Sequence, residues 1–297
     1  MTTIGFIGLG HMGQPMAKNI LKAGFPVFVY DVVAANVQAL IKEGAKPVSS
    51  VAELASTCDI IITMVQTSQQ VTEICLQSNG IFDHIKSGAL YIDCSSIDIK
   101  ASQALHAEAK KRGIAMLDAP VSGGVAGAEA ATLTFMVGGE ADNFTRAEPL
   151  LMKMGKKIVH AGSAGHGQAA KICNNMLLAI SMIGVCEAFT LAERIGLDPK
   201  KFFEISSNAS GQCWSLTSYC PMPGIMENVP SSKGFKAGFM AKMMLKDLHL
   251  AQHAAEETDA IIPLGAVATE LYELYVNRGN GETDFSGIIN MLMKCGE

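Results

Sequence analysis

The chain has 297 residues, enough for two domains of ordinary size. Hydrophobic residues make up 49% of it and charged residues 17%, a composition that excludes a disordered protein. Lys and Arg together number 23 and Asp and Glu 28, and the resulting net charge of −5 disfavours a nucleic-acid partner. We therefore expect a folded, acidic protein.

The longest apolar stretch, 176–186, is shorter than a bilayer span and contains Ser181 and Gly184. It predicts a buried helix and no membrane partner. The first residues enter a strand-like segment without a signal or transit pattern, which indicates either the cytoplasm or a mature form of the protein. Eight cysteines, Cys295 among them, include no C-x-x-C pair, so we interpret them as reduced thiols without a metal.

Short β-rich runs alternate with helical stretches over residues 1–162. The alternation is typical of βαβ units, and runs that are apolar on both faces indicate a buried parallel sheet. The predicted strands are 3–7, 26–30, 60–64, 89–92, 114–117, 132–137 and 157–160.

Beyond Gly165 the β-rich runs stop and helical patterns take over. A long helix is predicted at about 168–195, ended by Gly196, and a Gly-, Pro- and Ser-rich segment at 210–238 is long enough to indicate a functional loop. Further helices are predicted at 199–207, 239–258, 264–278 and 284–294. The chain is thus divided into an α/β domain, 1–162, and an all-α domain, 163–297, connected by the long helix.

A G-x-G-x-x-G pattern, Gly8, Gly10 and Gly13, follows the first strand directly and begins a helix. Such a loop lets a pyrophosphate approach the backbone and the free N–H groups of the helix. Asp31 ends the next strand, where a carboxylate binds the ribose hydroxyls of a dinucleotide. No arginine follows it to neutralise a 2′-phosphate, so residues 1–162 are predicted to bind NAD rather than NADP.

Residues 118–124 follow a strand and present the Ser122 hydroxyl together with the N–H groups of Gly123 and Gly124. Hydroxyl and backbone donors suit a small carboxylate. The same residues also make an ordinary loop, and spacing alone leaves both interpretations open.

The start of the long helix carries Lys171, Asn174 and Asn175 on one face. Because the helix is otherwise apolar, this stripe is expected to face a cavity or a polar interface, unless the helix start is simply exposed. Partial burial lowers the pKa of a lysine ammonium group, which makes lysine a plausible acid–base group for alcohol oxidation.

The second half offers weaker candidates. Lys246 and Asp247 usually indicate a surface charge pair, and the aromatic residues Trp214 and Tyr219 of the long loop either cover a ligand or anchor the loop. The His249 and His253 pair has no third partner that would make a metal site, and none is expected.

Five segments, 5–13, 118–124, 132–139, 165–175 and 246–248, resemble the β-hydroxyacid dehydrogenases, and the resemblance covers essentially the whole chain. It implies a Rossmann-like N-terminal domain joined by a long helix to an all-α domain, with the active site in the cleft between them. It also implies that Lys171 is the catalytic residue. The implied substrate-binding residues are Ser122, Gly123, Gly124, Asn174, Asn175, Trp214, Tyr219, Lys246 and Asp247.

For the cofactor, the resemblance implies that the glycine loop, residues 8–13, contacts NAD together with Asp31. Gln66 stands where the family commonly has proline, which predicts a less rigid turn, while Ser96 keeps the hydroxyl of a common threonine. The implied cofactor-binding residues are Gly8, Leu9, Gly10, His11, Met12, Gly13, Asp31, Met64, Val65, Gln66, Gln70, Ser96, Phe239 and Lys246.

The activity implied is NAD-dependent oxidation of 3-hydroxyisobutyrate to methylmalonate semialdehyde, a step of valine breakdown, with Lys171 accepting the hydroxyl proton. Members acting on L-serine, or on tartronate semialdehyde and D-glycerate, fit the same residues, because one methyl group discriminates weakly. A non-catalytic dinucleotide-binding scaffold is a third alternative, disfavoured because Lys171 is present. The apolar long helix predicts a homodimer or homotetramer.

Overall fold

The computed structural model describes residues 1–294, so Cys295 lies outside the described part. The chain forms two compact units, residues 1–171 and the residues from 172 onward. The predicted division at 162/163 coincides with the end of a strand, and as a division of function it stays a prediction.

One nine-stranded sheet organises the first unit. All seven predicted strands are present, and two short ones, β3 and β7, lie where no strand was predicted because two-residue strands carry too little pattern. The strands are β1 (Ile4–Ile7), β2 (Val27–Tyr30), β3 (Lys46–Pro47), β4 (Ile60–Thr63), β5 (Leu90–Asp93), β6 (Ala115–Asp118), β7 (Val121–Ser122), β8 (Leu133–Gly139) and β9 (Gly155–Gly162).

The strand order is β3-β2-β1-β4-β5-β6-β8-β7, with β9 paired to β8. The pairs from β3 to β6 are parallel, whereas β8 runs antiparallel to both β6 and β7. The connection from β7 to β8 is shorter than a parallel crossover requires, so the chain returns antiparallel and the predicted parallel sheet becomes mixed. The order reverses between β1 and β4, where open α/β sheets bind ligands.

Both faces of the sheet are buried, in separate apolar clusters. Ile60 and Ile62 belong to one cluster and Ile61 to the other, as expected when successive side chains of a strand point to opposite faces. The helices of this unit are α1 (Gly13–Lys22), α2 (Ala34–Ile41), α3 (Val51–Thr57), α4 (Ser68–Leu76), α5 (Ile81–His84), α6 (Ile99–Lys111), α7 (Gly124–Glu129) and α8 (Ala141–Leu151).

The predicted long helix is α9 (His166–Arg194). It ends in a Schellman arrangement, in which Gly196 has a φ of +80° and the Leu197 N–H donates to the Ala192 carbonyl at 2.8 Å. Its first six residues belong to the first unit and the remainder to the second. The prediction of a Rossmann-like α/β domain, a long helix and an all-α domain is confirmed.

The second unit packs around one apolar cluster. Two predicted helices differ at their ends: the one at 264–278 passes into a π turn at 276–280, and the one at 284–294 begins with a 3-10 turn at 285–288. The segment 210–238 contains one short helix and a 3-10 turn. The remaining helices are α10 (Pro199–Ser206), α11 (Trp214–Thr217), α12 (Ala241–Thr258), α13 (Pro263–Tyr275) and α14 (Ile289–Lys294).

Helix α9 is long and apolar enough to cross a membrane by length and composition, and 44% of its most apolar window is buried within this chain. Leu177 and Leu191 are exposed on it, and Gly184 between them has open space beside it. Exposed apolar side chains also line α13, at Leu264, Val267 and Leu274, and these two sets are called the α9 stripe and the α13 stripe.

Candidate active site

The glycine loop, residues 8–13, connects β1 to α1 at the carboxyl edge of the sheet. A Cβ at Gly13 would overlap the Gly8 carbonyl oxygen, and Gly8 itself has a φ of +90°. A Cβ at Gly10, in contrast, would meet nothing within 4 Å. Close packing at Gly13 and open backbone at Gly10, together with an α1 N-terminus that has no side-chain cap, fit the pyrophosphate of a dinucleotide.

Asp31 lies immediately after β2 and is fixed by two backbone groups. The Leu9 N–H donates to Asp31 Oδ2 at 2.6 Å, and the Val33 N–H donates to Oδ1 at 2.7 Å. Val32 and Val33 are exposed beside it. The anchored carboxylate with apolar neighbours suits two ribose hydroxyls and opposes a 2′-phosphate, so the residues present fit NAD.

The segment after β4, residues 64–70, is held by a capping box. Gln70 Oε1 accepts the N–H groups of Gln66 at 2.9 Å and Thr67 at 3.2 Å, and the Thr67 hydroxyl accepts the Gln70 N–H. A proline at position 66 would lack the N–H that this arrangement uses. At position 66, therefore, a backbone hydrogen bond restrains the turn, whereas the ring of the family's common proline would restrict φ there. This argues against the less rigid turn that was expected from the sequence.

A buried polar cluster lies at the ends of β4 and β5. Asp93 Oδ1 accepts the Thr63 hydroxyl at 2.7 Å and the Ser95 N–H at 3.1 Å, while Oδ2 has no partner in the described part of the chain. Burial raises the pKa of Asp93 to about 6, and the hydrogen bonds only partly oppose that rise. The Ser95 hydroxyl in turn accepts the Val65 N–H at 3.0 Å, which connects this cluster to the segment after β4.

Asp118, at the end of β6, caps the start of α9 from a distant part of the chain. Its Oδ1 accepts the Gly165 N–H at 2.9 Å and its Oδ2 accepts the Gln168 N–H at 3.0 Å. The first N–H belongs to the residue just before α9 and the second to the first helical turn, and neither has a partner inside the helix. His106 Nε2 lies 2.9 Å from Oδ1, and the Asp118 side chain is fully buried. The beginning of α9 is therefore fixed to the sheet.

The predicted turn at 122–124 lies between the short strand β7 and the short helix α7. Ser122 pairs with Thr134 of β8, and Gly123 and Gly124 have φ values of +135° and +61°. Ser122 is half-buried and Gly123 is exposed. The turn thus combines a hydroxyl with two consecutive glycine N–H groups at the surface of the first unit.

Lys171 lies on the second turn of α9 and is 8% exposed. Asn175 follows one turn later, also buried, and its Nδ2 donates to Asp247 Oδ2 at 2.5 Å. Asn174 Nδ2 donates to Asn175 Oδ1 at 3.0 Å, so the polar stripe is not an exposed helix start. Lys246 Nζ lies 3.6 Å from Oδ1 of Asp247, which is 3% exposed and therefore no surface charge.

The long loop of the second unit is anchored by its aromatic residues. Trp214 stacks on Tyr219 with centroids 4.9 Å apart, and Tyr219 stacks on Phe285 at 5.4 Å. The Tyr219 hydroxyl donates to Asp284, and burial followed by the Asp284 charge raises its pKa, so it stays protonated. Tyr219 is an anchor, whereas Trp214 remains half exposed.

Asp284 organises this region further. Its Oδ2 accepts the N–H groups of Gly238 and Phe239 at 2.9 and 3.0 Å in addition to the Tyr219 hydroxyl. Its Oδ1 accepts both the N–H and the hydroxyl of Ser286. The backbone of Phe239, a predicted cofactor contact, is thus held by the buried carboxylate of Asp284. The sequence analysis did not identify Asp284.

Among residues 1–294, no three His, Cys, Asp or Glu side chains are grouped so that they could hold a metal ion. His249 Nε2 lies 3.4 Å from Glu273 Oε1, on the exposed side of α12. The seven described cysteines are all free thiols, and Cys173 is exposed.

Three buried residues that shape the site, Asp93, Asp118 and Gln168, were not predicted from the sequence. The sequence pattern could have identified the two aspartates as site candidates, because each directly follows a run of apolar strand residues, as Asp31 does. Gln168 carries no such signal. Its partners lie 50 to 73 residues away in the sequence and are visible only in the fold.

The reversal of strand order, the glycine loop and Asp31 together define a Rossmann-like dinucleotide-binding domain. The second domain of the protein is helical. The sequence model for the NAD binding domain of 6-phosphogluconate dehydrogenase matches residues 3–162. The model described as the NAD-binding domain of NADP-dependent 3-hydroxyisobutyrate dehydrogenase matches residues 165–292.

Individual relatives cover almost the whole chain. An NAD-dependent L-serine dehydrogenase of Pseudomonas aeruginosa is 48% identical, covering 96% of each chain. The human mitochondrial 3-hydroxyisobutyrate dehydrogenase is 47% identical over 98% of this chain and 87% of its own. A solved structure of Mycobacterium tuberculosis 3-hydroxyisobutyrate dehydrogenase with L-serine is 41% identical, with a TM-score of 0.93 over 98% of this chain and 99% of its own.

The chain therefore belongs to the 3-hydroxyisobutyrate dehydrogenase family and is an NAD-dependent 3-hydroxyacid dehydrogenase. The predicted family, enzyme class and cofactor are confirmed.

Proposed function

We propose that this enzyme oxidises the primary hydroxyl group of 3-hydroxyisobutyrate to methylmalonate semialdehyde, a step of valine breakdown. The observation that carries the proposal is Lys171, a buried amine three residues after an N–H group that Asp118 fixes. A buried and positioned amine is the group that alcohol oxidation needs for proton transfer.

The substrate carboxylate is assigned to the 122–124 turn. A hydroxyl and two glycine N–H groups donate to an anion without adding a mobile charge. Asn174, Asn175, Lys246 and Asp247 form the connected polar group of the second unit, and with Trp214 and Tyr219 they are the remaining substrate-binding candidates.

The glycine loop, Asp31, residues 64–66, Gln70 and Ser96 are proposed to hold NAD, with Phe239 and Lys246 from the second unit. Bound NAD supplies the hydride acceptor. Lys171 in its neutral form accepts the hydroxyl proton as the C–H bond breaks, so the alcohol loses a proton and a hydride and becomes an aldehyde. The donors of the 122–124 turn hold the carboxylate and so orient the reacting carbon.

L-Serine is the second candidate. It shares the carboxylate and the primary hydroxyl group, and one of the most similar relatives is named an L-serine dehydrogenase. D-Glycerate offers the same two groups, and tartronate semialdehyde is the aldehyde that corresponds to it, reduced in the reverse direction. This pair forms a third possibility. These substrates differ only in the substituent on the second carbon, which is a methyl, ammonium or hydroxyl group. Discrimination by a methyl group is worth about 1 to 3 kcal/mol.

The test is NADH formation with 3-hydroxyisobutyrate, L-serine and D-glycerate, each with NAD and with NADP. A kcat/KM about tenfold higher for 3-hydroxyisobutyrate supports the first candidate, since tenfold corresponds to about 1.4 kcal/mol. A preference for L-serine transfers the proposal to the second candidate and leaves the lysine mechanism unchanged. Absence of turnover with all three contradicts the proposed substrate class.

Replacing Lys171 tests the mechanism. Lys171→Ala is expected to lower kcat by about 10³-fold, because general acid–base catalysis contributes about 10² to 10⁴. The Kd for NAD, measured by calorimetry, is expected to stay within about threefold, since the assigned role begins only with substrate. Lys200→Ala, on exposed α10, is the matched control. Equal losses of turnover and NAD binding would contradict the role.

The α9 and α13 stripes are proposed to pack against a second copy of the chain, giving a homodimer or homotetramer. Exposed Glu187 interrupts the α9 face, which favours a protein partner over lipid. Nucleic acid and membrane are not proposed as partners. The cytoplasm is proposed as the location, supported by seven unpaired cysteines that suit a reducing compartment.

A further inference from the structure

The side chain of Gln168 makes two hydrogen bonds that join α9 to the loop after β5. Gln168 Oε1 accepts the Ile97 N–H at 3.0 Å, and Gln168 Nε2 donates to the Ser95 carbonyl at 2.8 Å. These two bonds are called the Gln168 bridge. They hold the backbone on both sides of Ser96, and the side chain making them is fully buried.

Gln168 is itself immobilised. Its own N–H donates to Asp118 Oδ2 at 3.0 Å, so the residue is fixed by its backbone to β6 and by its side chain to the loop after β5. Lys171 lies three residues further along the same helix, hence on the adjacent turn. All of these groups belong to the first unit.

The loop that the Gln168 bridge holds is connected onward. The Ser95 N–H donates to Asp93 and the Ser95 hydroxyl accepts the Val65 N–H. The buried Gln168 side chain is therefore part of a hydrogen-bonded network that connects the helix carrying Lys171 to two loops at strand ends, 64–66 and 94–97. These loops contain the proposed NAD contacts Val65 and Ser96.

We propose that Gln168 is a positioning residue that fixes Lys171 relative to the cofactor loop at Ser96. This inference rests on the proposed roles of Lys171 and Ser96. An alcohol carbon that gives a hydride to the cofactor and a proton to a lysine must meet both groups at once, and a displacement of about 1 Å can cost about 10²-fold in rate. An apolar residue could fill the space of Gln168 but could not fix the distance between Lys171 and the loop at Ser96.

Two variants separate hydrogen bonding from packing. Gln168→Met keeps an unbranched side chain of similar length but leaves the Ile97 N–H and the Ser95 carbonyl without partners. Gln168→Glu retains the acceptor for Ile97 at every pH, yet donates to the Ser95 carbonyl only when its carboxyl group is protonated. Gln77→Glu, exposed at the end of α4, is the control for the added charge.

The expected result for Gln168→Met is a loss of about 10- to 100-fold in kcat, with the Kd for NAD within about threefold of wild type. For Gln168→Glu, the ratio of its kcat to that of wild type is expected to fall as pH rises from about 5 to 9. Burial and the nearby Asp93 and Asp118 raise the pKa of the new carboxyl group, whereas His106 and Lys171 oppose that rise when charged. Gln77→Glu is expected to follow wild type throughout.

Hydrogen exchange in the protein without NAD gives a readout that does not depend on turnover. The Ile97 amide is expected to exchange at least about tenfold faster in Gln168→Met and at the wild-type rate in Gln168→Glu. Unchanged protection of Ile97 in Gln168→Met would overturn the Gln168 bridge, whatever the activity.

A Gln168→Met enzyme with wild-type kcat, or one whose entire loss lies in NAD affinity, would overturn the positioning role. If wild type oxidises none of the three hydroxy acids, the proposed substrate class fails, and the exchange experiment still decides whether the Gln168 bridge holds the loop.

Discussion

Asp31 links two parts of the proposed dinucleotide site, because one carboxylate accepts both the Leu9 N–H in the glycine loop and the Val33 N–H at the start of α2. The negative charge of Asp31 and its hydrogen-bond acceptors therefore have different effects. The charge disfavours a 2′-phosphate, and the acceptors keep the glycine loop in place.

Asp31→Asn is expected to reduce the preference for NAD over NADP by about 10- to 100-fold, corresponding to about 1.5 to 3 kcal/mol for hydrogen bonds to a charged group. The amide keeps one acceptor for the Leu9 N–H but has no negative charge. The ratio of kcat/KM for the two cofactors is the measurement. Asp31→Ala, which removes the acceptor as well, is expected to lower kcat/KM with both cofactors, and an unchanged ratio in Asp31→Asn would contradict the assignment.

Asp93 illustrates a buried carboxylate that costs stability. Its pKa rises from the ordinary 3.8 to about 6 on folding because burial disfavours the charged form. Between about pH 4 and 6 the folded state keeps a proton that the unfolded state has released, so this group lowers stability as pH rises through that window. The full cost, about 3 kcal/mol at most, is present above pH 6.

Asp93→Asn keeps an oxygen for the Thr63 hydroxyl and the Ser95 N–H but removes the ionisation. The stability of the variant relative to wild type is therefore expected to increase by about 2 to 3 kcal/mol between about pH 4 and 7. Urea unfolding followed by circular dichroism at both pH values measures this difference. Asp142→Asn, on the exposed start of α8, is the control, and a pH-independent difference at Asp93 would show the prediction to be wrong.

At the scale of elements, the segment from 213 to 240 has a repeated hydrogen-bond acceptor in Asp284. Two backbone N–H groups and one tyrosine hydroxyl of the segment converge on its Oδ2. The segment has little regular structure of its own, so the Asp284 bonds pair backbone groups that a helix or strand would otherwise pair. Backbone bonds such as that from the Asp284 N–H to the Phe235 carbonyl, and the buried side chain of Leu216, hold the segment as well.

Asp284→Asn is expected to destabilise the second unit by about 3 kcal/mol, because buried donors lose their acceptor, whereas Tyr219→Phe removes one bond and is expected to cost about 1 kcal/mol. Trp214 is the only tryptophan and stacks on Tyr219, so its fluorescence in urea reports the unfolding of this unit. Equal effects of the two substitutions would contradict the view of Asp284 as an organising acceptor.

The elements with a strong pattern were predictable from the sequence, and the others were not for identifiable reasons. The apolar run 60–63 and the capped stretch ending at Gly196 gave a strand and a helix close to their observed bounds. The strand β7 was predicted as part of a turn, since its two residues pair only because β8 returns beside them. Likewise, the π turn after Tyr275 depends on packing that no local pattern records.

At the scale of the molecule, the exposed apolar stripes predict self-association. Wild type is expected to elute with two or four times the chain mass of 31.4 kDa in size-exclusion chromatography with light scattering. Leu191→Glu is expected to shift the protein toward the monomer, because it places a charge on the α9 stripe. Met152→Glu, an exposed apolar position in the first unit, is the control. A wild-type monomer would contradict the proposed assembly.

The site shows a similar division between what sequence can and cannot reveal. The glycine loop, Asp31 and Lys171 could be proposed from the sequence because each lies in a local pattern with a chemical meaning. The contacts of Asp118 and Gln168 join residues far apart in the sequence, so their importance depends on strand order and on where the chain returns.

The cap that Asp118 places on α9 has a consequence for how the protein can be divided and synthesised. A fragment that stops at residue 162 contains every strand of the sheet but lacks the Gly165 and Gln168 N–H groups, which leaves a fully buried carboxylate with His106 alone. During translation, likewise, the nascent sheet completes this polar contact only after residue 168 has left the ribosome. A separately expressed first domain should therefore extend through the first turn of the helix.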